Sequence, residues 1–164
     1  MKTNNMNRVD LIKHAFRVDS HPEGGCFKEL YMAAVPEGQR SHLCSTLFML
    51  DKTEISHFHQ LDCDELWLYH EGCGLKLVLW QNGLTTEYLL GKDYEKGQCP
   101  AVLVPKGAVF GASNLDPEGY TFLSVVTSPA FTYEGFHLVT RDELCRIDPE
   151  FAKKYGHLAY EKIP

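Results

Sequence analysis

From residue 26 to residue 139 the chain repeats one pattern: short runs with apolar side chains at every second position, separated by turn-forming residues. A period of two is the side-chain period of a β-strand. It predicts strands over 26–34, 43–50, 55–59, 65–70, 75–80, 85–90, 101–104, 109–113, 120–127 and 135–139. Asn82-Gly83 between two such runs reads as a type I′ hairpin, since both central residues of that turn need positive φ. Gly72-Cys73-Gly74 marks a second tight turn. No helical stretch separates the runs, which rules out a parallel sheet built on crossover helices and leaves an antiparallel sandwich or barrel.

Helical periodicity is confined to the ends. Asn7-Arg8-Val9-Asp10 opens a helix over about 8–17, with Val9, Ile12 and Phe16 on one side, and the turn-rich segment His21-Pro22-Glu23-Gly24-Gly25 follows it. At the other end Thr140-Arg141-Asp142-Glu143 fits a capping box, with Val139 and Leu144 placed for a hydrophobic staple. Asp148-Pro149 then starts another helix that Gly156 stops, so the C-terminal helices lie over about 141–156. The expectation is one all-β domain, 1–164, with its barrel at about 26–139 and short α-helices at both ends.

The 44% hydrophobic content fills a core, which excludes a disordered chain. A net charge of −6 without a run of Lys or Arg argues against nucleic acid and anionic membrane as partners. No apolar run is long enough to span a bilayer. The first residues lack the apolar stretch of a secretory signal, and the six cysteines form no C-x-x-C pair. Both features point to a cytoplasmic protein with reduced thiols.

The chemistry concentrates in Ser56-His57-Phe58-His59 and Asp64-Glu65-Leu66-Trp67-Leu68-Tyr69. Strand alternation puts His57 and His59 on one face, and Glu65, Trp67 and Tyr69 on one face of the next strand. If both faces point inward, two imidazoles and a carboxylate meet beside an aromatic wall. His57, His59 and Glu65 are then a ligand set for Fe, Mn, Zn or Ni with positions left for substrate. Without metal the same groups supply a general base with an orienting carboxylate. By the same alternation one of Ser45 and Thr46 faces the interior. In the loop at 21–29, Glu23, Lys28 and Glu29 either close one end of the pocket or contact a second copy.

His57-x-His59, Glu65 and Gly72 resemble the first cupin motif, and Pro105-Lys106-Gly107 with Asn114 resembles the second. His21-Pro22-Glu23-Gly24-Gly25-Cys26-Phe27, Asp64-Glu65-Leu66-Trp67 and Pro129-Ala130-Phe131-Thr132-Tyr133-Glu134-Gly135-Phe136 are similar to a small single-domain cupin family of uncharacterised function. The resemblance implies a double-stranded β-helix, the cupin jelly-roll barrel, and a homodimer. Two departures bear on function: five residues separate His59 from Glu65, and Phe110 stands where the second motif places a metal-binding His.

The resemblance leaves three functions open. One is a sugar-like isomerase or epimerase acting on a small polar molecule, with His59 as base, Asp64 or Glu65 orienting it, and Tyr69 or Tyr133 delivering a proton. The second is a non-catalytic module that binds a small ligand. The third is a metal-dependent oxygenase on His57, His59 and Glu65. In each, His57, Ser45, Trp67, Phe110, Asp64 and Tyr133 line the ligand space.

Overall fold

The computed structural model describes residues 6–164. Helix α1 (Arg8–Phe16) leads into a short strand β1 (Asp19–Ser20) and then ten strands: β2 (Cys26–Met32), β3 (Cys44–Asp51), β4 (Ile55–Leu61), β5 (Asp64–Gly72), β6 (Leu75–Gln81), β7 (Leu84–Leu90), β8 (Ala101–Val104), β9 (Val109–Asn114), β10 (Tyr120–Ser128) and β11 (Phe136–Leu138). Helices α2 (Arg141–Ile147) and α3 (Pro149–Tyr155) close the chain. The strands form two antiparallel sheets, ordered β1-β2-β3-β10-β5-β8 and β11-β4-β9-β6-β7. Every run of alternating residues is a strand, and the fold is the jelly-roll barrel that the family resemblance implies.

The turn chemistry acts where the residues placed it. Asn82 and Gly83 have φ of 52° and 78°, and Gln81 pairs with Leu84 across the hairpin. The Thr140 hydroxyl accepts the Glu143 N–H, while the Glu143 carboxylate accepts from the Thr140 N–H at 2.8 Å. Asn7 caps α1 by accepting the Asp10 N–H at 2.9 Å.

The buried apolar residues form three clusters. Phe48, Leu50, Trp67, Leu77, Phe110 and Leu123 fill the space between the sheets. The alternate residues of β3, Leu47 and Met49, pack with Phe122 against Ile12 of α1 on the other side. Phe16 stacks on Phe122 at 5.5 Å between ring centroids. On the second sheet, Phe58, Val78 and Val109 face Leu144, Phe151 and Tyr155 of α2 and α3. The terminal helices therefore cover the outer faces and leave the space between the sheets free to carry a site. Among the described residues, no helix is long and apolar enough to cross a membrane.

Candidate functional site

The site begins with an irregularity in β4. Ser56 pairs with Ala112 and His59 with Phe110, so three steps along β4 match two along β9. The extra residue is a β-bulge at His57-Phe58 opposite Gly111, and it resets the alternation. Ser56 and His59 both point inward, whereas Phe58 joins the outer cluster under α3. His57 also leaves the interior: its ring stacks on Tyr160, with centroids 3.6 Å apart. The expected shared face of His57 and His59 is thus corrected. The bulge needs Gly111, where a Cβ would lie 2.9 Å from the Ser56 carbonyl oxygen and 3.1 Å from the Phe58 ring. Gly111→Ala is expected to destabilise the fold by about 1–3 kcal/mol through overpacking, read from urea denaturation, and no loss of stability would argue against the bulge.

The loop that precedes β2 fills the place expected for His57. The His57 backbone N–H and ring Nδ1–H both donate to the Glu23 carbonyl, at 2.7 and 2.6 Å. Gly24, at φ 114°, brings this loop so close that a Cβ would run into the Ile55 carbonyl. The side chain of Glu23 consequently enters the barrel. Its Oε1 accepts the Ser56 hydroxyl at 2.6 Å, and its Oε2 lies 3.2 Å from His59 Nε2 and 3.4 Å from His21 Nδ1. His59 Nδ1 donates to the His57 carbonyl at 2.7 Å, so Nε2 is the nitrogen left to share a proton with Glu23.

Glu65 stands on β5 with Trp67 and Tyr69, and these three share the inward face as alternation predicts. Trp67 Nε1–H donates to Glu65 Oε2 at 2.8 Å. Glu23, at 7% exposure, and Glu65, at 8%, have opposite electrostatic surroundings. For Glu65, burial and the neighbouring Glu23 charge push the carboxyl up to about 8, against a smaller opposing pull from the Trp67 hydrogen bond. For Glu23, burial works in the same upward direction, but His59, His21 and the Ser56 hydroxyl outweigh it and hold the carboxyl below its ordinary value. Burial lowers the His59 imidazole against the attraction of Glu23. One carboxyl is therefore an anion and the other an acid at neutral pH.

The two carboxyls line a small cavity of about 50 Å³ that opens to solvent. Its walls are Phe27, Phe48, Trp67 and Phe131, with Thr46, Thr127 and Cys44 adding polar atoms. His59, 1% exposed, lies behind Glu23 against Phe110, with ring centroids 4.1 Å apart. Thr46, not Ser45, is the β3 residue that faces inward. Phe110 backs the site as part of the core.

The remaining expected residues lie elsewhere. Asp64 is exposed and accepts the Lys106 backbone N–H at 2.8 Å, which fixes a loop. The Tyr69 hydroxyl donates to the Gly72 carbonyl at 2.8 Å. Tyr133 stays 58% exposed and stacks on His21 at 6.4 Å, outside the lining. Lys28 and Glu29 do not line the cavity either; of the loop's charged residues, Glu23 closes it. With His57 on the outside, His57, His59 and Glu65 do not converge and do not fit a metal. Among the described residues, no group of three or more His, Cys, Asp and Glu is arranged to hold one.

Glycines on two segments bear on the position of Glu23. Gly111 interrupts an apolar strand, the usual mark of a bulge or a close backbone approach. Gly24-Gly25 lets the preceding Glu turn back on β4. His21, Cys44 and Thr127 carried no comparable local signal.

Comparison with known proteins agrees with this architecture. The family model described as "Cupin superfamily (DUF985)" matches residues 10–139. A hypothetical protein from Leishmania major superposes with a TM-score of 0.85 at 28% identity, covering 94% of this chain and 100% of its own. An X-ray structure of a Shewanella oneidensis protein gives a TM-score of 0.89 at 30% identity, covering 96% of this chain and 100% of its own. CapF, solved with an inhibitor, shares the fold alone, with a TM-score of 0.55 at 13% identity over 73% of this chain and 32% of its own. No curated protein matches the sequence. A family match over most of the length, on a barrel of this topology, leads to one conclusion: the chain belongs to the DUF985 family of the cupin superfamily.

Proposed function

We propose that the barrel cavity binds a small polar carbonyl compound and moves a proton on the carbon beside the carbonyl, as an isomerase or epimerase does. The observation that carries this reading is the pair of carboxyls on one cavity with their proton affinities driven apart, Glu23 down and Glu65 up to about 8. Environments that separate two titrating groups assign one as base and the other as acid. Glu23 takes the carbon-bound proton, and Glu65 gives its own to the carbonyl oxygen, which leaves a neutral enediol. Return of the two protons to exchanged positions completes the isomerisation.

His59 does not reach the cavity. It is a positioning residue that holds the Glu23 carboxyl from behind through the contact of Nε2 with Oε2. This moves the role of base from the imidazole to the carboxylate in front of it. Phe27, Phe131 and Trp67 keep bulk water from the reacting carbon, which strengthens both carboxyls' interactions with the ligand.

The test is deuterium uptake. In D2O, the protein should accelerate exchange of the carbon-bound protons of hydroxyacetone or dihydroxyacetone, followed by proton NMR. Glu23→Gln and Glu65→Gln should each lower that rate by about 100-fold or more. The rate should hold steady through neutral pH and fall above about 8, where Glu65 has lost its proton. Binding of these compounds with no accelerated exchange would replace this reading with a non-catalytic binding module.

A further inference from the structure

The cavity lining holds no permanent cation. Among the described residues around it the carboxyls are Glu23 and Glu65, His21 adds an imidazole whose Nδ1 lies 3.4 Å from Glu23 Oε2, and there is no Lys or Arg. Arg40, close in sequence to β3, is committed elsewhere: it makes two 2.8 Å hydrogen bonds to Asp62 and one of 2.8 Å to the Ala130 carbonyl. An anionic ligand such as a carboxylate or phosphate would leave water for a cavity that holds an anion already and offers it no Lys or Arg as countercharge. Burying a charge without a partner is among the most unfavourable exchanges a protein can make.

The same walls suit a cation. Phe27, Phe48, Trp67 and Phe131 present aromatic rings, whose faces attract ammonium groups, and more strongly once water is excluded. A second feature points to a ligand with donors to give. Glu65 is more than nine-tenths buried, and its Oε2 is engaged by Trp67. Its other oxygen receives no hydrogen bond among the described residues, and it belongs to the cavity wall.

We propose that this cavity selects a small organic cation, a primary ammonium group held between the Glu23 and Glu65 carboxyls and covered by the rings of Phe27, Phe131 and Trp67. This rests on the carboxyl pair of the proposed function and makes the cation a competitor of the carbonyl compound, since a Glu65 that has given up its proton no longer serves as the acid. It stands or falls on binding alone, independent of turnover. A neutral Glu65 that meets an ammonium group gives up its proton, so uptake of the cation releases a proton to the buffer.

Three probes of one size and different charge test it: 2-aminoethanol, ethylene glycol and glycolate, titrated calorimetrically into the whole chain at neutral pH. The expected order is 2-aminoethanol tighter than ethylene glycol by about tenfold or more, with glycolate weakest. The binding enthalpy of 2-aminoethanol should vary with the ionisation enthalpy of the buffer, which reports the released proton. Glu65→Gln should abolish both that variation and most of the preference for the cation. Phe131→Ala, which leaves the carboxyls in place, should weaken 2-aminoethanol more than ethylene glycol. Glycolate binding as tightly as 2-aminoethanol, equal affinity for the cation and the diol, or no detectable binding of 2-aminoethanol would each overturn the proposal. The outcomes also separate from those of the exchange experiment. Cation binding without deuterium exchange removes the catalytic reading and keeps this one, and exchange on the uncharged ketones with no cation preference does the reverse.

Discussion

Phe110→Ala is expected to cost the folded chain about 3–5 kcal/mol, the range for a fully buried phenylalanine cut to a methyl. The ring is 1% exposed and lies 4.1 Å from the His59 ring and 6.3 Å from the Trp67 ring, centroid to centroid. Its removal opens a hole between the two residues that support the carboxyls, one behind Glu23 and one bonded to Glu65. The change therefore acts on the site as well as on stability. Urea denaturation gives the first effect, and affinity for a cavity ligand gives the second. A stability loss below about 1 kcal/mol would place the ring at the surface, against the assigned inward face of β9.

The second large effect is a change in how stability depends on pH. The Glu65 carboxyl titrates at about 8 in the folded chain, against 4.5 for a freely exposed one. Between those values the folded chain keeps a proton that the unfolded chain has released. Stability therefore falls as pH rises through this window and levels off above it. Glu65→Gln supplies a neutral group of the same shape, whose oxygen can still accept the Trp67 N–H. The variant and the parent should be nearly equal at low pH and diverge as pH rises, at up to ~1.4 kcal/mol per pH unit. Above about pH 8 the variant should be the more stable by a few kcal/mol, because the parent must then hold two buried anions. Urea denaturation of both chains at several pH values measures the difference, in which the titration of all other groups cancels. Parallel curves across the window would mean that Glu65 has an ordinary carboxyl.

The parts of the fold that rest on neighbouring residues were legible in the sequence. The hairpin at Asn82-Gly83, the capping box at Thr140 and the proline that opens α3 each depend on contacts a few residues apart, and each lies where the pattern placed it. The faces of Glu65, Trp67 and Tyr69 followed from alternation along a regular stretch of β5. The face of His57 did not, because the bulge that turns it outward is set by Gly111 on another strand. Alternation holds only while two strands advance in step, and one inserted residue reverses it from that point on. Glu23 was harder still. Its place at one end of the pocket was among the expectations, but its partners were not, because the loop folds back more than thirty residues to Ser56 and His59. Phe110, where the resemblance led to an expected metal-binding His, proved to be structural support for the imidazole of His59.

The claim on which the site depends is that two carboxyls at one cavity hold opposite protonation states. Carbon-13 NMR of the glutamate side-chain carboxyls, followed across a pH titration and assigned with Glu23→Gln and Glu65→Gln, reads this directly. The account predicts a Glu65 signal that titrates near 8 and a Glu23 signal that remains ionised below the usual carboxylate range. Both signals titrating together between about 4 and 5, as exposed glutamates do, would contradict it.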